Sequence, residues 1–98
     1  MGKYAVYTKW HHEKGLRPAE EMAEGMRNNV KPGHPAEDII WWQIDDNHHQ
    51  SVIIYSSEDE ARKHRSEVEK LRASSSKEYS IKLVEENMGP ILAQMSEL

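Results

Sequence analysis

The sequence contains no cysteine and no phenylalanine, and only five glycines and four prolines among its 98 residues. Without cysteine there is no disulfide framework, no thiol nucleophile and no thiolate metal site. No apolar run approaches the roughly 20 residues that a membrane-spanning helix needs, so a membrane protein is not expected. Positive charge is also scarce: 13 Lys and Arg stand against 17 Asp and Glu, a net charge of −4. Such a chain has no basic field to hold phosphate backbones, and nucleic acid is not an expected partner. The opening Met1-Gly2-Lys3-Tyr4-Ala5-Val6 shows no apolar signal segment, and Val6 stands where a myristoylation signal wants Ser or Thr. A cytoplasmic address is the expectation. What is present, 37% hydrophobic residues at a mean hydropathy of −0.89, is enough for one small core, so a single domain over residues 1–98 is expected.

Periodicity divides the chain. Residues 3–12 alternate Tyr4, Val6, Thr8, Trp10 against Ala5, Tyr7, Lys9, His11, a β-branched and aromatic mixture that predicts a strand. Gly15 breaks it. Pro18 presets a first helical turn, and Ala19, Met22, Ala23, Met26 and Val30 recur at helical spacing, which predicts a helix over Arg17 to Val30. Lys31-Pro32-Gly33-His34-Pro35 must turn, because proline lacks the amide donor and restricts its predecessor. Ile39 to Asp45 reads as a second strand, with Asp45-Asp46-Asn47-His48 as a hairpin into a third, Gln50 to Tyr55. Ser57 followed by Glu60 matches a capping box, and Ala61, His64, Val68 and Leu71 step along a helix from Glu58 to Ala73. Ser74-Ser75-Ser76 reads as a polar link, Ser80 to Glu85 as a fourth strand, and Pro90 to Met95 as a short last helix. The order β-α-β-β-α-β is the split βαβ arrangement of the ferredoxin-like α+β class, with strands one and three central and two helices on one face.

The second face of that sheet is expected to be apolar as well. Strand two puts Ile39 and Trp41 on one side and Ile40, Trp42 and Ile44 on the other; strand three sets Val52 and Ile54 against Ile53 and Tyr55. Each large apolar side chain left in water forgoes about 1.5–3 kcal/mol. A face-to-face homodimer, clamped by Ile91, Leu92 and Met95 of the tail, is therefore expected; a monomer with its own tail folded back is the competing arrangement.

The stretch Tyr55-Ser56-Ser57-Glu58-Asp59-Glu60-Ala61-Arg62-Lys63-His64 resembles, within the order of elements above, the dimeric α+β barrel superfamily that includes the antibiotic biosynthesis monooxygenases. The resemblance covers the whole chain in outline. It implies a homodimer and a pocket between sheet and helices, where some members oxidise aromatic compounds without a cofactor and others open haem. Val6 and Tyr7 stand where the haem-degrading branch has an asparagine-bearing pattern, so the Asn, Trp and His set of those enzymes is incomplete here.

Six histidines are the richest source of chemistry, and four come as the pairs His11-His12 and His48-His49. The strand order brings both pairs to one end of adjacent strands beside Asp45 and Asp46, but side chains alternate across a strand, so one histidine of each pair can converge. No sharp metal spacing is present, and neither a metal nor a cofactor is expected. His64 falls on the apolar stripe of the second helix, where desolvation would lower its pKa. The tryptophans and tyrosines, Tyr79 included, suit an aromatic pocket or a dimer core equally. Strand three lacks the basic-glycine-aromatic signature of an RNA-recognition sheet. The acidic runs Glu20-Glu21 and Glu58-Asp59-Glu60 lie in first helical turns, where they answer the helix dipole.

Three functions follow as expectations. The first is binding of a small apolar or aromatic molecule, with Trp10, Trp42, Tyr55 and His64 lining the pocket and His12 and His49 at its mouth. The second is a cofactor-independent oxygenase or isomerase in which His64 or His12 removes a proton. The third is a non-catalytic assembly module whose aromatics are all interface.

Overall fold

The β-branched and aromatic runs pair into one antiparallel sheet. The computed structural model describes residues 2–98, with side chains for all but 75–79. In chain order the elements are β1 (Tyr4–His12), α1 (Ala19–Gly25), β2 (Asp38–Gln43), β3 (His48–Tyr55), α2 (Glu58–Tyr79) and β4 (Ile81–Pro90). The strands lie in the order β2-β3-β1-β4. β1 and β3 are central and β2 and β4 are edges, as the element order predicts. The result is a mixed α+β fold compatible with the ferredoxin-like arrangement. No helix among the described residues is long and apolar enough to cross a membrane.

Registers set the two faces. Thr8 faces Ser51, Trp10 faces His49 and His11 faces His48 across β1 and β3, while Trp41 faces Ser51 and Trp42 faces Gln50 across β3 and β2. Val6, Thr8, His12, His49, Ser51, Ile53 and Tyr55 are buried. They fall on one side by alternation, and that side carries the helices. A bulge between Lys9 and Trp10 shifts the β1–β4 register, so that Lys9 faces Glu85 and Trp10 faces Leu83, leaving Val84 as the extra residue.

The core is small and lies at one end of the sheet. Val6, Ile53, Tyr55 and Ala61 form it, with Tyr4, Ala36 and Ile39 packed against them. α2 enters there behind its Ser57 cap, whose Oγ accepts from the Glu60 N–H at 3.2 Å. α1 contributes no buried residue, and a π-helical turn, Met26–Val30, prolongs it with the Lys31 N–H donating to the Met26 carbonyl at 2.8 Å. Its apolar stripe looks onto a hollow instead of interlocking with the sheet.

Several boundaries differ from expectation. α2 runs through Ser74-Ser75-Ser76 to Tyr79, because serine is only a modest helix breaker and the chain does not turn until Ser80 adopts the left-handed conformation at φ 57°. β4 continues past the expected end at Glu85, pairing with all of β1 as far as Pro90, and the Ile91 N–H extends the ladder to the Lys3 carbonyl at 2.8 Å; the expected helix from Pro90 to Met95 does not form. Proline is tolerated at that edge because no further strand needs its amide. Only a 3₁₀ turn, Met95–Glu97, follows. β2 stops at Gln43, two residues early, where Ile44–Asn47 form the hairpin loop. Asp45 Oδ1 accepts there from the Asn47 N–H at 2.8 Å, and the His12 N–H donates to the Asn47 carbonyl at 2.7 Å. Gly15, at φ 86°, makes the return from β1 that lets the Leu16 N–H reach the Asp46 carbonyl.

Candidate functional site

The hollow between α1, α2 and the sheet is a cavity of about 200 Å³. Its floor is polar. Thr8 donates to Ser51 Oγ at 3.1 Å and accepts from Trp10 Nε1 at 2.9 Å, so one hydroxyl fixes both β3 and the indole ring. The walls are aromatic: Trp10 and Trp41 flank His49, the Trp10 and His49 planes lying within 12° of parallel with ring centres 6.4 Å apart, and Trp41 standing 5.6 Å from the same imidazole. Met22, Val30, Ile39 and Val68 are among the apolar residues that complete the lining, and Arg72 closes one side with its guanidinium 5.6 Å over the Trp10 ring.

His49 is held from behind. Its Nδ1 lies 2.7 Å from His12 Nε2 in a buried hydrogen bond, one ring donating and the other accepting. Its Nε2 carries no hydrogen bond among the described residues, while the ring itself lines the cavity. Burial first, and His12 second, push the His49 pKa down to about 4. Burial, assisted by Arg17, also lowers His12. Near neutral pH both rings are uncharged, which suits a hydrogen-bonding wall.

A second cluster occupies the core end. Tyr55 OH lies 3.0 Å from His64 Nδ1, and His34 meets His64 edge-on with ring centres 4.4 Å apart. The Ala36 N–H donates to His34 Nδ1 at 3.0 Å, leaving the proton of the neutral ring on Nε2. Burial lowers the pKa of both histidines, the pair's mutual repulsion adding to it at His34 and Glu67 opposing it at His64, and burial raises that of Tyr55.

The predicted site residues thus separate. Trp10 and His49 line the cavity, and His12 stands directly behind His49. Trp42 faces away from the helices, donating from Nε1 to Gln50 Oε1 at 2.7 Å, while Gln50 in turn donates to Tyr7 OH at 2.8 Å. Trp41 takes the place expected of Trp42, because the β2 register puts Trp41 opposite buried Ser51. Tyr55 and His64 bond to each other and do not line this cavity; His34 links their cluster to it. His11 and His48 meet on the opposite face from His12 and His49, with His48 Nδ1 2.9 Å from Asp45 Oδ1. Among the described residues no three His, Cys, Asp or Glu side chains are placed to hold one metal ion. The side chain of Tyr79 and all of Met1 lie outside the described residues.

Sequence reasoning missed Thr8, Ser51, Trp41, His34 and Arg72. Alternation carried Thr8 and Ser51, since they share a strand face with Trp10 and His49, whereas Trp41 is set by the register of β2 against β3. His34 and Arg72 arrive from a turn and from a helix surface, where no periodic signal marks an inward-facing polar group. No family model matches the chain and no curated protein matches it, so the reading of the site rests on this geometry.

Proposed function

We propose that the protein binds a small aromatic molecule between the sheet and its two helices. The observation that carries this is the His49 imidazole, backed by His12 and set between Trp10 and Trp41 at the wall of a cavity, its Nε2 unbonded among the described residues. Flat walls favour a flat ligand, and an unbonded nitrogen beside them gives it an orientation. An apolar cavity of about 150 Å³ takes up benzene, so this one has room for a ring with a short substituent. Titration with small aromatic compounds should quench tryptophan fluorescence in a saturable way, and Trp41→Ala should weaken binding about tenfold or more, the loss of a stacked wall of about 1.5 kcal/mol. Indifference to every ring compound would refute the reading.

The enzymatic alternative has less support. A base poised for work near neutral pH needs a pKa close to that pH, and burial moves His12, His49 and His64 all below the ordinary value. His12 is also shielded from the cavity by His49.

We further propose that two copies pair through the face opposite the helices, the arrangement shared with the dimeric α+β barrel superfamily. Ile40 is 47% exposed and Trp42 39%, with Ile44 beside them. The chain's own tail does not cover them: Leu92 is 98% exposed, and Lys3, paired with Glu37 and Glu97, ties the tail to the β1 end of the sheet. A cytoplasmic address fits a chain without cysteine.

A further inference from the structure

The cavity's charge runs against that of the chain. Acidic residues outnumber basic ones, 17 to 13, yet among the described residues no Asp or Glu lines the cavity, whereas Arg17 and Arg72 do. Arg72 is fixed without exhausting its donors. Its Nη1 lies 2.8 Å from Glu86 Oε2, and its guanidinium rests over Trp10. Glu86 is already satisfied by Arg65, whose Nη1 and Nη2 donate to both carboxylate oxygens at 2.8 and 2.9 Å. Two guanidinium groups therefore share this one carboxylate, and Arg65 finds a further partner in Glu69 at the surface, 3.1 Å from its Nε. Arg72 has no such second carboxylate among the described residues, and its Nε and Nη2 carry no hydrogen bond there. A guanidinium with a side chain only 14% exposed and unused donors beside an aromatic wall is matched to a planar anion, which takes two parallel N–H bonds.

We propose that the ligand is an aromatic carboxylate, its carboxylate held by Arg72 and its ring against the cavity wall that Trp10, His49 and Trp41 form. This rests on the aromatic-binding reading above and names the chemical class of the ligand. Phenylacetate and phenylacetamide are near-isosteric probes that differ in charge. Titrated into the full chain at low ionic strength, phenylacetate should bind about tenfold more tightly or better. That preference should fall to parity in Arg72→Gln and persist in part in Arg72→Lys. Added salt, from ~20 mM to ~500 mM, should weaken the acid and leave the amide unchanged. The comparison of the two probes and the salt series need no variant, so they decide the matter even where Arg72→Gln fails to fold. Equal affinity of acid and amide would overturn the anion assignment while leaving an aromatic pocket standing. Binding of neither would overturn both, and a full preference surviving Arg72→Gln would overturn the role of Arg72.

Discussion

His49 shows how one buried side chain couples stability to its site. Its pKa, about 4 in the folded chain, lies below the ordinary 6.5 of an exposed imidazole. The unfolded chain therefore binds the proton first, and the stability due to the neutral ring is complete above pH 6.5 and is lost as pH falls toward 4. His12, His34 and His64 are shifted in the same direction and add to the loss. Glu86, lowered by its hydrogen bonds from Arg65, acts at more acid pH, below its ordinary 4.5. The window between 6.5 and 4.5 thus belongs to the histidines. Urea unfolding should show a fall of about 3 kcal/mol from His49 alone across its full titration, and His49→Gln should flatten the slope above pH 4.5. A stability that is level from pH 7 to 4.5 would contradict the buried neutral pair. That His12 and His49 converge was legible from the alternation of two adjacent antiparallel strands, one ending where the other begins. The choice of Trp41 over Trp42 was not, because both tryptophans are large and apolar and only the register against Ser51 separates them.

At the scale of elements, α2 carries the plainest signals at both ends. Ser57 caps its first turn through the Glu60 N–H, and Ser57→Ala should cost about 0.5–2 kcal/mol in unfolding free energy. Ser80 ends it at φ 57°, a conformation glycine adopts without penalty, so Ser80→Gly should stabilise by about 0.5–1 kcal/mol. Loss of stability in that variant would show that the serine side chain makes a compensating contact. The four strands and two helices were readable because each has a period of its own. The length of α2, the extension of β4 to Pro90 and the absence of a helix from Pro90 to Met95 were not. Three serines resemble a linker in composition, and past Glu85 the strand is too polar to show its period, so its far end is recognisable only when its partner, the whole of β1, is known. α1 was readable as a helix from its Met22, Met26, Val30 stripe, but its failure to bury any residue is a tertiary fact.

The whole molecule leaves two apolar regions uncovered, the cavity beneath α1 and the sheet face around Ile40 and Trp42, and the two have different expected fates. Burying that face in a twofold contact would recover about 1.5–3 kcal/mol for each large side chain fully covered. Light scattering at micromolar concentration should give twice the 11.4 kDa chain mass, and the double change Ile40→Glu with Trp42→Glu should return it to one. A wild-type chain that stays single would remove the paired arrangement but not the cavity, which one copy forms by itself.

The most direct test of aromatic binding follows the three indole N–H signals of a ¹⁵N-labelled chain during titration with phenylacetate. The signals of Trp10 and Trp41 should move together and saturate while that of Trp42 stays largely in place, since only the first two line the cavity between sheet and helices. Movement of Trp42 alone, or of none of the three, would contradict it.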